Sequence, residues 1–209
     1  MLKSYRTVEQ FGQDEIVIEK STFIGYAKPV KTEEEALAFI AEIKKKHRDA
    51  THNVPAYVLG EKNEIQRCND DGEPSGTAGV PTLEVLKKED VRDVAVVVTR
   101  YFGGIKLGTG GLVRAYTKGA KIALEAAGLI TRVLYQVMVV AIDYTMLGTV
   151  ENQLRLKGYA VKDTVYEEIV HLHVWVKEED VDTFRAFITE CTNGRAVLTE
   201  GEITYRTEA

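Results

Sequence analysis

Apolar residues along the chain recur with two different periods, and the switches between them mark the elements. Around residues 6–10 and again across 15–30, partial alternation through Ile16, Ile18 and Phe23 predicts strands, the second run ended by Pro29. Thr32 with Glu35 three residues on predicts a capped helix start. Leu37, Ile40 and Ile43 follow at helical spacing, and Lys44, Lys45 and Lys46 load the last turn, where cations suit the helix dipole. Residues 56–60 and 64–68 read as strands joined by a turn at Lys62-Asn63. Pro81 then suits the first turn of a short helix running through Leu86. The Val-Ala-Val-Val-Val run inside 93–99 is apolar without alternation, as in a strand covered on both faces. A helix is predicted from about Leu112 to Ala127, with Gly128 ending it.

Beyond residue 131 the pattern changes. Strand 133–143, helix 147–157 stopped by Gly158, strands 160–166 and 169–177, helix 180–191 and strand 196–205 follow in turn. That β-α-β-β-α-β order predicts a ferredoxin-like unit. The expected organisation is therefore two domains, residues 1–130 and 131–209, with no repeat and no low-complexity linker between them.

Composition narrows the class. With 44% hydrophobic and 28% charged residues in 209, the chain is an ordinary globular mixture. No apolar run approaches 20 residues, so no membrane-spanning helix is expected, and residues 1–10 lack the apolar stretch of a signal peptide. Cys68 and Cys191 fall in different predicted domains and suggest neither a disulfide framework nor a zinc site, so a reducing cytoplasm is the expected setting. The net charge of -5 comes wholly from Arg132 onward, where 13 acidic residues face 8 basic ones. The first domain is neutral overall and can still hold a local basic patch.

Three polar, glycine-containing segments carry the candidate chemistry. The first, residues 48–53, offers His52 as a general base or anion donor, or is simply a turn closed by Asp49, Thr51 and Asn53. The second runs from 70 to 79. Asp70, Asp71 and Glu73 suit a basic partner or, more weakly, Mg²⁺, and Ser75 and Thr77 add hydroxyls; the plain alternative is a surface loop. The third places Arg100, Tyr101, Phe102, Gly103, Gly104, Lys106, Gly108, Thr109, Gly110 and Gly111 before a helix that bears Arg114, Tyr116 and Lys118. Helix N-terminal amides attract anions, and cations with aromatic faces suit an RNA backbone. The glycine spacing is neither that of a P-loop nor that of a dinucleotide fingerprint, and glycines can also serve tight helix–strand packing. In the second domain, His171, His173 and Trp175 alternate on one strand face, expected to be exposed rather than metal-binding.

Taken together, Arg48-Asp-Ala-Thr-His52, Asp70-Asp-Gly-Glu-Pro-Ser-Gly-Thr-Ala-Gly79 and Thr99-Arg-Tyr-Phe-Gly-Gly-Ile-Lys-Leu-Gly-Thr-Gly-Gly-Leu-Val-Arg-Ala-Tyr116 resemble the signature of the IMPACT/YigZ family, in its bacterial two-domain form. The resemblance implies an α+β chain. Its first domain would be like domain four of elongation factor G (a GHMP-kinase-like, ribosomal-protein-type fold) and its second like the ferredoxin-like domain five. It also implies a translation-linked binding protein that contacts RNA, the ribosome or a translation-associated protein, with no cofactor and no firmly attached reaction. The rival expectation is a Mg²⁺-dependent, phosphate-handling enzyme with His52 as acid/base. An enzyme needs a concave pocket joining the three segments, whereas a binder can present a flatter face.

Overall fold

The computed structural model describes residues 1–208, which divide into two compact units, Tyr5–Thr131 and a second made of Met1–Ser4 with Arg132–Glu208. Four N-terminal residues join the second unit, where the Leu134 amide donates to the Lys3 carbonyl at 2.8 Å. Both units are mixed α and β with antiparallel sheets. Among the described residues no helix is long and apolar enough to cross a membrane.

After β1 (Ser4–Val8), a strand of the other sheet, the first unit holds β2 (Gly12–Ile18), β3 (Ser21–Pro29), α1 (Glu33–Lys46), β4 (His52–Leu59), β5 (Ile65–Cys68), α2 (Gly79–Lys88), β6 (Val94–Tyr101) and α3 (Gly108–Ala127). Its sheet runs β2-β3-β6-β4-β5. Alternate residues of central β6 serve two cores. Val94, Val96 and Val98 pack with Val85, Leu86, Ala115, Tyr116 and Ala120 of α2 and α3. Ala95 and Val97 pack with Ala36, Phe39, Ile40 and Ile43 of α1. A strand covered on both faces needs apolar residues at every position, which accounts for its unbroken valine run. Thr32 caps α1 by accepting from the Glu35 amide at 3.2 Å.

Three boundaries differ from the sequence pattern, each for a physical reason. The apolar run across 15–30 is a hairpin, its two-residue loop Glu19-Lys20 having positive φ at both positions (48° and 62°), with no Asn-Gly or Asp-Gly pair to mark it. β4 starts at His52 rather than near 56, because Val54, Pro55 and Ala56 pair with Val98, Val97 and Val96 of β6 and are fully covered. α3 starts at Gly108 rather than Leu112, so the helix absorbs glycines that propensity would leave in a loop. Burial of Leu112, Ala115 and Tyr116 overrides the low helix preference of the first turn.

The second unit follows β7 (Leu129–Ile142), α4 (Leu147–Leu156), β8 (Ala160–Tyr166), β9 (Val170–Lys177), α5 (Val181–Cys191) and β10 (Val197–Glu208), which is β-α-β-β-α-β. β9 lies between β7 and β8, and β10 pairs with β7. Val170, Leu172, Val174 and Val176 point into a core with Val150, Leu154, Phe184 and Ile188. His171, His173 and Trp175 take the opposite face, where the Lys162 ammonium and the Arg206 guanidinium lie 5.1 and 4.6 Å from the Trp175 ring centre.

Candidate functional site

Sheet register builds the site. β4 and β6 are antiparallel neighbours with His52 opposite Arg100, so the start of one strand lies beside the end of the other. The 70–79 loop folds back over this edge because Asp70 gathers it. One Asp70 oxygen accepts from the Ala78 and Gly79 amides at 3.1 and 2.8 Å, and the other from Gly76 at 2.8 Å. Burial alone would raise the Asp70 carboxyl, but these three backbone amides hold it below the usual carboxylate value. Asp71, at a positive φ of 49°, accepts from the Asn53 amide and from Lys44 Nζ, both at 2.6 Å, and its carbonyl accepts from His52 Nδ1 at 2.7 Å. The three chain segments thus meet around a concave cleft of about 430 Å³. Its deeper wall is His52, Glu73, Arg100 and Leu112, and its rim includes Thr51, Pro74, Phe102, Lys106, Gly108 and Thr109.

A buried charge pair forms the deep wall. The Arg100 and Glu73 side chains are only 6% and 4% exposed, with Nη1 donating to Oε1 at 2.6 Å. Tyr116 Oη donates to the same oxygen at 2.7 Å. Burial, with Glu73 beside it, pushes the Tyr116 hydroxyl far up, so it stays a donor at any working pH. Among the described residues the other carboxylate oxygen, Oε2, takes no hydrogen bond. His52 Nε2 faces it across 3.6 Å, a gap too wide for a hydrogen bond and an ion pair only when the ring carries both protons. The Arg100 guanidinium lies 5.5 Å from the ring centres of both Phe23 and Phe102, and its buried Nε has no hydrogen-bond partner among the described residues.

The rim carries bare backbone and one cation. The residue before α3, Leu107, offers no side-chain cap, and the first turn holds no acidic residue. Its orphan amides and the positive end of the helix dipole are left for an anion. Packing explains only part of the glycine run. A Cβ on Gly103 would fall 2.0 Å from the Lys20 carbonyl, so that glycine is needed for close approach. Gly104 and Gly108 have φ of +86° and +69° and open space around them, and Gly110 faces only the Arg114 guanidinium at 3.4 Å.

These positions correct several sequence expectations. Arg100 does not offer its charge to solvent; Glu73 neutralises it. Tyr101 points to the opposite sheet face, where its hydroxyl meets His47 Nδ1 at 2.8 Å and donates to Asp49 at 3.3 Å, so it is no stacking platform for the cleft. Lys118 is exposed but stands about 15 Å along α3 from Gly108, outside the cleft, by the helical rise per residue. Arg114 is exposed and reaches back over Gly110. The three carboxylates do not converge as a Mg²⁺ site: Asp70, Asp71 and Glu73 turn to amides, to Lys44 and to Arg100, and no cluster of three potential ligands occurs among the described residues. Ser75 is exposed, while Thr77 is buried and donates to the Pro74 carbonyl at 2.6 Å.

Other contributors had no local signal. Ser21 Oγ accepts from the Gly103 amide at 3.1 Å across 82 residues, and Thr51 Oγ1 accepts from the Phe102 amide at 3.0 Å across 51. Tyr116, read from sequence as a stacking face, instead anchors Glu73 from below.

Comparison with known proteins covers both units. A family model described as the Impact N-terminal domain matches residues 19–124, and another, described as a domain of unknown function (DUF1949), matches residues 140–195. The IMPACT family member YvyE of Bacillus subtilis (strain 168) is 52% identical over 209 residues, covering 100% of this chain and 96% of that protein. The IMPACT family member YigZ of Escherichia coli (strain K12) is 34% identical over 183 residues, covering 87% of this chain and 90% of that one. A solved structure described as a hypothetical protein superposes with a TM-score of 0.61 at 31% identity, covering 97% of this chain and 99% of its own.

Proposed function

The chain belongs to the IMPACT family, and from that premise we propose that it is a translation-linked regulatory binding protein whose first-unit cleft takes a phosphate-bearing segment of RNA. One observation carries this reading. Three segments distant in sequence build a single cleft whose rim pairs the uncapped start of α3 and Lys106 with the exposed ring of Phe102. On this reading the first unit is the counterpart of domain four of elongation factor G and the second, acidic unit that of its ferredoxin-like domain five. The protein works in the cytoplasm and needs no cofactor.

Concavity favours single-stranded RNA, since a duplex is convex and meets only the rim. Binding of a fluorescent single-stranded oligonucleotide, measured across salt concentrations, tests the proposal. Each phosphate contact contributes a logarithmic slope of roughly -0.7. Lys106→Ala and Arg114→Ala should each weaken binding and flatten the slope by about one contact, whereas Lys45→Ala, on α1, should do neither. RNA affinity that is undetectable at low salt, or indifferent to Lys106 and Arg114, refutes the reading and leaves a translation-associated protein as partner.

The concave shape and the His52–Glu73 juxtaposition also favour a second reading, phosphate-ester hydrolysis with His52 as acid/base. Release of nitrophenol from p-nitrophenyl phosphate, lost in His52→Ala, would support it.

A further inference from the structure

A site made for phosphate alone has no use for a carboxylate on its deep wall, because an anion approaching Glu73 is repelled at short range. Glu73 nevertheless lines the cleft, nine-tenths buried, and among the described residues its Oε2 takes no hydrogen bond. The two halves of the carboxylate differ sharply. Oε1 is saturated by Arg100 and Tyr116, which fix the group in place, while Oε2 is left facing the His52 ring across 3.6 Å. His52 is oriented in turn by its Nδ1 bond to the Asp71 carbonyl, which leaves Nε2 turned toward Glu73. An acceptor and a ring nitrogen held this way are matched by a hydroxyl, which donates its one proton to Oε2 and accepts from Nε2 when the ring carries both protons. Oε2 faces the cleft, where a ligand hydroxyl can donate to it.

The rim has the opposite character. Lys106 and the free amides at the start of α3 suit a phosphate, and Phe102, 48% exposed, offers a flat apolar face. Hydroxyl below, phosphate at one edge and a planar ring at the other are the three chemical parts of one ribonucleotide. We propose that the cleft reads the ribose of RNA, with the 2′-hydroxyl on Glu73 Oε2 and His52 Nε2, the phosphate against Lys106 and the first turn of α3, and the base on Phe102. This inference rests on the RNA-binding reading above and adds to it a discrimination between RNA and DNA, for which the 2′-hydroxyl is the distinguishing group.

Changing the ligand tests this without touching the fold. Single-stranded eight-residue uridine oligonucleotides with ribose, 2′-deoxyribose or 2′-O-methyl ribose are titrated into the full-length protein at low salt. The ribose form should bind about tenfold or more tightly than both others, since a hydrogen bond to a charged buried group is lost in each. In His52→Ala the preference should shrink toward unity. In Lys106→Ala all three should weaken together with the preference intact. Equal affinity for the three sugars, with salt-dependent binding retained, overturns the ribose assignment and leaves the phosphate-binding reading standing. A preference that survives His52→Ala also overturns it, because the sugar is then read elsewhere. Absence of binding by all three at low salt overturns both.

Discussion

The Arg100–Glu73 pair makes a prediction whose sign, and not only its size, can be wrong. Both side chains are at least 94% covered and in contact at 2.6 Å. Arg100→Met keeps much of the aliphatic stem between Phe23 and Phe102 but strands the Glu73 carboxylate, with only the Tyr116 hydroxyl to bond it. Breaking a buried pair from one side costs about 3–5 kcal/mol, because the remaining charge is uncompensated. With a urea slope of about 2 kcal/mol per molar, the midpoint should fall by roughly 1.5–2.5 M. Adding Glu73→Gln removes the stranded charge while the amide oxygen still accepts from Tyr116, so the double variant should be more stable than Arg100→Met by about 2 kcal/mol or more. The lone tryptophan, Trp175, lies in the second unit, so far-UV circular dichroism is the readout. A double variant no more stable than Arg100→Met refutes the account of this pair as a desolvated ion pair. Two additive losses would do the same.

Asp70→Ala should destabilise by about 2 kcal/mol, since it frees three amides at the entry to α2 and removes a negative charge from that helix end. Asp70→Asn should fall between variant and parent in the same urea titration. Because the folded Asp70 carboxyl lies below its ordinary value of 3.8, its contribution is present above that pH and is lost as pH falls through the folded value; the Asp70→Asn profile should lack that loss. His47 has both ring nitrogens on tyrosine hydroxyls, Tyr26 at 2.6 Å and Tyr101 at 2.8 Å. Burial first, then Lys46, lower its pKa against a weaker opposing pull from Asp49. The unfolded chain therefore binds the proton first, so stability should decline as pH falls through 6.5, and a His47→Gln variant should show a flatter denaturation midpoint between pH 7.5 and 5.5. Gly110→Ala meets only the end of the Arg114 side chain, so it should raise stability by about 0.5–1 kcal/mol and weaken oligonucleotide binding; a loss of stability would mean that the glycine is there for packing.

Burial patterns were largely legible in the chain. The valine run of β6, the alternation of β9, the Thr32 cap and the order of the second unit's elements are written in local periodicity, because a residue's face within an element depends only on its neighbours in sequence. The three glycine-bearing segments were also visible as polar interruptions between those elements. What each residue does there was not legible. Tyr101 and Phe102 are adjacent and aromatic, yet the pleat sends one to His47 on the far face, while the other, past the strand's end, reaches the cleft. Asp70, Asp71 and Glu73 read as one acidic cluster, yet positive φ at Asp71 and Gly72 turns their carboxylates to three different sets of partners. Arg100 reads as surface charge and is the buried half of a pair whose other half lies 27 residues away. Periodicity fixes which face a side chain takes, but strand register and loop closure are long-range. They alone decided that His52, Glu73 and Lys106 share one cleft, and that among the described residues Glu73 Oε2 there takes no hydrogen bond.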